Sequence, residues 1–254
     1  MNILKTPFLL IWRLWFYILI FCTIILMAPF LFVLTIKESY YPTFWKLIRG
    51  WAYVLVYGMG FRIDQQIDEI LDRNKSYMFC PNHASLMDPF VLIILSKNPI
   101  VFVGKKELVK IPIFGFFYKR AVIMVDRSSP VSRKRVFEMA KKRLQGGTSI
   151  GIFPEGLVPT EDVILAPFKN GAFSLAIQHQ IPIVPQTYYD CKRLFSWNFL
   201  KGGLGTFRIR QHQFFETKGL NIEDTEKVKE KIFQTLHNEL SSDPLYMKDT
   251  KKNK

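Results

Sequence analysis

Cysteine is scarce in this 254-residue chain, which contains only Cys22, Cys80 and Cys191. Their odd number and irregular spacing favour free thiols in a reducing compartment over a disulfide framework. Cys80 and His83 form a Cys-x-x-His pair, but no second ligand pair follows, so no zinc site is expected. The chain also lacks a recognised nucleic-acid-binding motif. Its net charge of +14 therefore favours anionic lipid, a phosphorylated substrate or an acidic carrier as partner.

Charged side chains are missing altogether from Leu14 to Ile36, a run of 23 residues. As a straight helix this run is about 34 Å long, against a hydrocarbon core of roughly 30 Å. Because Pro29 lies within it, we expect either one kinked spanning helix or two shorter helices that enter and leave the same leaflet. The run is too long for a cleaved signal peptide, and no small-x-small cleavage site follows it.

A second segment, from Pro42 to Tyr57, mixes aromatic side chains with the cations Lys46 and Arg49. Such a mixture suits the headgroup region of a bilayer. An ordinary amphipathic helix that packs on the domain explains the same pattern equally well. We therefore expect membrane-attachment helices in residues 1–59, one catalytic-size domain in residues 60–245, and a basic disordered tail in residues 246–254.

Short β-rich runs alternate with helical patterns after about residue 60. This alternation predicts an α/β fold in which a mixed sheet is covered by helices. Strands are predicted at Phe61–Ile63, Tyr77–Cys80, Ile100–Val103, Ala121–Val125, Ser149–Phe153, Ile183–Thr187 and Phe207–Phe214. Helices are predicted at Leu86–Ser96, Val131–Gln145, Gly171–His179 and Thr225–Leu240.

The stretch Asn82-His83-Ala84-Ser85-Leu86-Met87-Asp88 carries the clearest chemistry and follows the second predicted strand. Its spacing allows the Asp88 carboxylate to fold back and hold the His83 imidazole in one tautomer. An imidazole so held can take a proton from an alcohol near neutral pH. The same residues also fit a capping-box-like helix start, with Ser85 before the helix and Asp88 in its first turn. Both interpretations stay open on these residues alone.

Further polar groups stand where other predicted strands end, which is the usual place for ligand sites in α/β folds. Gly104-Lys105-Lys106-Glu107-Leu108 sets two cations beside a glycine turn, where they can bind a phosphate or simply begin a helix. Ile111-Pro112-Ile113-Phe114-Gly115, which comes next, can line an apolar groove. Val125-Asp126-Arg127 can offer a guanidinium to a phosphate, or form only a surface ion pair.

Two more segments contain prolines at turns. Phe153-Pro154-Glu155-Gly156 can direct Glu155 to a polyol hydroxyl or to an arginine, although a plain turn explains it too. Ile181-Pro182-Ile183-Val184-Pro185 reads as a buried strand that opens after a turn, with a structural role.

In their order and spacing these blocks resemble the glycerolipid acyltransferases typified by 1-acylglycerol-3-phosphate acyltransferase. The resemblance covers roughly residues 82–185 and rests on NHASLMD, KKEL…IPIFG…VDR, FPEG and IPIVP. It implies transfer of a fatty acyl chain from acyl-CoA or acyl carrier protein to a lysophospholipid, first of all 1-acyl-glycerol-3-phosphate. The thioester donor supplies its own activation, so no cofactor or metal is expected. The resemblance also implies a domain held to the membrane by N-terminal helices, and the charge-free run together with the free cysteines leads us to expect the catalytic domain on the cytosolic side.

The resemblance assigns roles to particular residues. His83 is the general base for the acceptor hydroxyl, Asp88 orients it, and no acyl-enzyme forms. The substrate-binding set is Asn82, Lys106, Arg127, Glu155 and Gly156. Within this set, the two cations hold the acceptor phosphate, the Glu-Gly pair shapes the acceptor pocket, and the asparagine helps to position the histidine loop.

One departure from the family bears on the acceptor. The family often continues FPEG with Thr-Arg-Ser, whereas Leu157-Val158-Pro159 follows here, so the usual arginine is absent at Val158. Another lysolipid, for example an aminolipid, is therefore an alternative acceptor. A thioesterase is a second alternative, but Ser85 stands too close to His83 in the sequence to be an obvious triad serine. A non-catalytic membrane-binding protein is a third, against which both His83 and Asp88 are retained.

Overall fold

The computed structural model describes residues 5–111, 114–125 and 130–251. Within them the strands are β1 Phe61–Ile67, β2 Met78–Pro81, β3 Ile100–Lys105, β4 Val122–Val125, β5 Ser149–Gly151, β6 Ile183–Tyr188 and β7 Gly205–Gln211. The α-helices are α1 Lys5–Thr35, α2 Tyr41–Gly58, α3 Asp88–Leu95, α4 Phe114–Ala121, α5 Pro130–Gln145, α6 Gly171–Gln178, α7 Cys191–Leu194, α8 Thr225–Ser242 and α9 Pro244–Lys251. Short 3₁₀ helices span Glu38–Tyr40, Lys106–Lys110 and Ile222–Asp224.

The seven strands form one mixed sheet in the order β1-β7-β6-β2-β5-β3-β4, which confirms the predicted fold class. Neighbouring strands run parallel except β6 and β7, which are antiparallel. The carboxyl ends of β6, β2, β5, β3 and β4 therefore meet at one edge of the sheet. Because β7 and β1 run the other way, their amino ends lie at this same edge.

Each face of the sheet carries its own hydrophobic core. On one face, α1, α2 and α3 cover the strands, and the buried side chains include Phe44, Leu55 and Val91. On the other face lie α5, α6 and α8, and α8 contributes Val228, Ile232, Leu236 and Leu240 at a spacing of four residues. The central strand β2 is consequently buried along its whole length, as its continuous apolar run requires.

The long apolar run forms part of one continuous helix, α1, which passes through Pro29 without ending. By length and composition the segment Thr6–Thr35 can cross a membrane: the mean hydropathy of its most apolar 18-residue window is 2.7, and only 11% of that window is buried. After the Glu38–Tyr40 turn, α2 packs against α1. The carboxylate of Glu38 pairs with Arg120 of α4 and Arg143 of α5, so this turn is fastened to the body.

The segment Pro42–Tyr57 lies in helix α2, which packs one face on the domain, as the interpretation of an ordinary amphipathic helix predicted. Its buried face includes Trp45 and Trp51, while Tyr53 and Tyr57 are exposed. Contact of this outer face with lipid headgroups stays a prediction.

The predicted helices and strands are found within a few residues of their expected bounds, but α4, α7 and α9 were not expected. The expectation of a disordered tail from residue 246 is wrong for residues 246–251, which belong to α9. This helix is held because Tyr246 is buried and its hydroxyl donates a 2.7 Å hydrogen bond to the carbonyl of Ile164.

Candidate active site

His83 and Asp88 are in direct contact at the edge where the parallel strands end. His83 Nδ1 lies 2.9 Å from Asp88 Oδ2. Asp88 is fully buried, whereas the side chain of His83 is 20% exposed. A carboxylate only accepts hydrogen bonds, so this contact places the imidazole proton on Nδ1 and leaves the Nε2 lone pair for a substrate. The predicted proximity of the two side chains is confirmed, although their catalytic roles stay predictions.

The turn that brings them together is closed by the same carboxylate. Asp88 Oδ2 also accepts hydrogen bonds from the backbone N–H groups of Ala84, at 2.6 Å, and Ser85, at 2.7 Å. The helix begins at Asp88 rather than at Leu86. The Asp88 side chain thus bonds to backbone N–H groups before the helix, as in a capping box, and the same carboxylate also contacts the His83 ring. The segment supports both interpretations at once.

Ser85 is committed to the structure. Its hydroxyl is fully buried, donates to the Phe195 carbonyl at 2.7 Å and accepts from the Met87 N–H at 3.1 Å. It is therefore unsuited to be a nucleophile, in line with the argument against a serine hydrolase.

Glu155 holds the backbone of the histidine loop. Its Oε1 accepts from the His83 N–H at 2.6 Å and its Oε2 accepts from the Ala166 N–H at 2.9 Å. The side chain is only 2% exposed. Burial raises the pKa of this carboxyl to about 7, against the two N–H bonds, which lower it. Both oxygens of Glu155 therefore hold backbone of the histidine loop and of the segment at Ala166, and its expected role in shaping the acceptor pocket stays a prediction.

Asn82 is also bonded to backbone, and its expected roles in positioning the loop and in binding substrate stay predictions. Its amide accepts from the Tyr188 N–H at 2.7 Å and donates to the Tyr188 carbonyl at 3.2 Å, and it is buried. This pair of bonds ties the end of β2 to the end of β6. Gly156 has φ +73°, and a Cβ there would lie 3.2 Å from carbons of the Lys169 side chain. A glycine therefore suits this turn on two counts.

Three residues in this region were not predicted as site residues from the sequence. The Phe153 ring stacks on the imidazole, with centroids 4.2 Å apart. Cys191 is buried, and burial together with the charge of Asp88 raises the pKa of its thiol. Lys192 donates to the Val163 carbonyl at 2.7 Å, and burial lowers its pKa to about 8 despite nearby carboxylates such as Glu155. The last two follow β6, a neighbour of β2, so the rule that sites lie at strand ends points to them.

Comparison with known proteins agrees with this geometry. The family model described as Acyltransferase matches residues 62–189, half of the chain. The chain belongs to the acyltransferase family. The resemblance inferred from its sequence blocks is thereby confirmed.

Curated relatives of this acyltransferase-family chain include two that are named 1-acyl-sn-glycerol-3-phosphate acyltransferase. The one from Limnanthes douglasii is 32% identical over 165 residues, which cover 64% of this chain and 54% of that protein. The one from Saccharomyces cerevisiae is 28% identical over 202 residues, 76% of this chain and 65% of that protein. The chain thus spans about half the length of the first of these curated relatives.

A solved structure shares the fold. The crystal structure of the 1-acyl-sn-glycerophosphate (LPA) acyltransferase PlsC from Thermotoga maritima aligns with a TM-score of 0.77. It covers 96% of this chain and 99% of that one, at 18% sequence identity.

The two predicted phosphate ligands of this family member follow neighbouring strands at the active-site edge. Lys106 opens the 3₁₀ helix directly after β3, and its side chain is exposed. Arg127 comes two residues after β4 ends and lies outside the described residues. With strands about 4.8 Å apart, the loops after β3 and β4 begin about 10 and 14 Å from the His83 loop. Across the described ranges, no cluster of three or more His, Cys, Asp or Glu side chains suits a metal ion.

Proposed function

We propose that this chain is a membrane-bound acyltransferase that moves a fatty acyl chain from acyl-CoA or acyl carrier protein to the hydroxyl of a lysophospholipid. The acceptor we favour is 1-acyl-glycerol-3-phosphate, which gives phosphatidic acid for phospholipid biosynthesis. The observation that carries the proposal is the 2.9 Å contact between partly exposed His83 and buried Asp88. Family membership and the fold shared with PlsC support it.

In the proposed reaction, His83 Nε2 takes the proton of the acceptor hydroxyl as its oxygen attacks the thioester carbonyl carbon. Asp88, through Nδ1, stabilises the imidazolium that forms. The tetrahedral intermediate then collapses, the carbon–sulfur bond breaks, and the imidazolium returns its proton to the departing thiolate. An ester and a free thiol result, so atoms and charges balance without an acyl-enzyme, a metal or a prosthetic group.

The backbone contacts around His83 suit this mechanism. Asn82 and Glu155 fix the two sides of the histidine loop, and Phe153 covers one face of the imidazole. The ring is therefore held in place before a substrate binds, which is how positioned groups lower a barrier. We assign these residues to positioning, and His83 alone to proton transfer.

We assign the acceptor phosphate to Lys106 and Arg127. Both follow strands at the active-site edge, and an arginine or lysine side chain is in general roughly 6–7 Å long, against about 10–14 Å between the loops. We place the catalytic domain at the cytosolic face, because the described cysteines are all free and two of them are buried.

The test is an acceptor panel with purified protein in detergent. Labelled acyl-CoA and labelled acyl carrier protein are offered separately, with 1-acyl-glycerol-3-phosphate, a zwitterionic lysolipid, an aminolipid or no acceptor. Formation of phosphatidic acid supports the proposal. Release of free fatty acid regardless of acceptor would identify a thioesterase, and no turnover of either donor would identify a binding protein.

A further inference from the structure

The loop between α7 and β7 carries large apolar side chains that point into solvent. In the segment 196–204, hereafter the 196–204 loop, four such side chains are exposed: Trp197 by 51%, Phe199 by 46%, Leu200 by 48% and Leu204 by 57%. Scattered exposed apolar residues are ordinary, but four within eight residues form a patch that requires an explanation.

This loop is held in a defined shape. Arg13 of α1 is buried, and its guanidinium donates to the carbonyls of Ser196, at 2.6 Å, and Lys201, at 2.8 Å. The same guanidinium lies 3.9 Å from the centroid of the Phe195 ring. Gly202 has φ +132°, and a Cβ there would lie 2.6 Å from the Leu194 carbonyl oxygen. The apolar side chains are therefore presented outward by a fixed scaffold.

The loop continues the apolar face of α1. Phe199 stacks on Tyr17, which is itself 45% exposed, with centroids 6.3 Å apart and the rings nearly parallel. Tyr17 belongs to the outer face of α1, together with exposed Leu14, Ile18 and Phe21. One uninterrupted apolar surface thus spans a helix long enough to cross a bilayer and the 196–204 loop.

The loop is also bonded to the candidate active site. The Phe195 carbonyl, one residue before the loop, accepts the 2.7 Å hydrogen bond from Ser85 in the histidine turn. The antiparallel pairing of β6 and β7 puts the amino end of β7, where the loop ends, at the edge where β2 delivers His83. A surface that contacts the 196–204 loop therefore lies close to His83.

We propose that the 196–204 loop is a second membrane-contact element. It inserts Trp197, Phe199 and Leu200 into the headgroup region of the bilayer that α1 enters, and so sets the depth of the His83 site at the membrane surface. The occupant is lipid, because tryptophan and phenylalanine beside lysine suit the interface and because the patch continues the apolar face of α1. The inference rests on the proposed attachment through α1.

A lipid-quenching experiment tests the contact directly. In full-length protein with Cys22→Ser, an environment-sensitive fluorophore is attached at Phe199→Cys, since the remaining native cysteines, Cys80 and Cys191, are buried. The matched control carries it at Ile70→Cys, which is 74% exposed but follows the opposite end of β1. The protein is reconstituted in phosphatidylcholine and phosphatidylglycerol vesicles, with and without headgroup-proximal spin-labelled lipid.

We expect the fluorophore at position 199 to lose most of its emission when spin-labelled lipid is present, and the one at position 70 to lose little. Equal, weak quenching at both positions would overturn the proposal. Burial of the loop against protein, whether a second copy of the chain or another partner, would give the same weak quenching and would also overturn the proposal.

Activity tests the second half of the proposal. Phe199→Ser/Leu200→Ser should raise the apparent KM for acceptor in vesicles severalfold, and leave the KM for a water-soluble short-chain acceptor unchanged. Ile67→Ser/Ile70→Ser is the matched control. Quenching with no change in KM would show that the loop meets lipid but does not set the depth of the site. If wild-type protein transfers no acyl group yet position 199 is quenched, the proposed function fails and the membrane contact stands.

Discussion

The backbone N–H of His83 donates a 2.6 Å hydrogen bond to Oε1 of Glu155, a residue 72 positions further along the chain. The candidate base is thus held from two directions, by Asp88 at its ring and by Glu155 at its main chain. A buried carboxyl in that position links the pH of the solution to the stability of the site.

The pH dependence of stability should change in Glu155→Gln. The pKa of Glu155 is raised from 4.5 to about 7. The free energy of unfolding therefore falls as pH rises through this interval, because the buried group must ionise in the folded protein. Its contribution is fully present below about pH 4.5 and is lost above about pH 7, a change of about 3 kcal/mol. We expect the difference in free energy of unfolding, wild type minus Glu155→Gln, to fall by that order between pH 4.5 and 7. Denaturant titrations at several pH values measure this difference. A difference that stays constant with pH would contradict the prediction.

His83→Ala should abolish acyl transfer without unfolding the protein. Positioned general-base catalysis contributes about a hundred- to ten-thousandfold in rate. His237→Ala, on α8, is the matched control and should keep its activity. Turnover of labelled acyl-CoA and the melting temperature are measured on the same samples. Near-normal turnover in a folded His83→Ala protein would refute the mechanism.

Asp88→Asn should also lose most of its activity, by about a hundredfold or more. An amide oxygen can still accept from the Ala84 and Ser85 N–H groups, so the turn should survive with a stability loss of about 1 kcal/mol. The amide cannot stabilise an imidazolium as a carboxylate does. If Asp88 only closes the turn, stability will fall while turnover is retained, and measuring both separates the two roles.

Arg127→Ala should raise the apparent KM for 1-acyl-glycerol-3-phosphate about ten- to a hundredfold, the value of a desolvated charge-assisted contact. Arg135→Ala, an exposed arginine on α5, is the control. An acceptor that lacks a phosphate should respond much less. An equal effect on every acceptor would remove the phosphate assignment, and the change at Val158 would then indicate a different substrate.

The full-length chain should remain with membranes after a high-salt wash, because the outer face of α1 is apolar rather than cationic. Release by salt would mean that attachment is electrostatic only. Deleting residues 1–36 is a poor test, since Leu9, Trp12 and Phe16 of α1 are buried in the core. Substitutions on the outer face, such as Ile18→Ser with Phe21→Ser, leave that packing in place.

Local patterns were sufficient to predict the strands and the longer helices, because apolar runs and four-residue spacing reflect burial directly. They did not show that β6 and β7 run antiparallel, since strand direction depends on how the connecting segment crosses the sheet. Helix α7 has only four residues, too few to show a helical period.

The site was predicted in part for a similar reason. The His83–Asp88 contact is local, and the spacing alone anticipates it. The backbone contacts of Asn82 and Glu155 were not predicted, because their partners Tyr188 and Ala166 approach only in the folded chain. Arg13 stands just outside the charge-free run, and nothing in the sequence indicates that it binds three carbonyls of a loop more than 180 residues away.

Helix α1 is tied to the body near both of its ends, by Arg13 on one side and by the stacked rings of Phe32 and Phe116 on the other. About 28 Å of helix separates these ties. A free helix adapts to a thicker or thinner bilayer by tilting alone. Helix α1 cannot tilt without turning the whole domain, so in the proposed membrane attachment the angle of the helix also sets the angle of the domain at the bilayer.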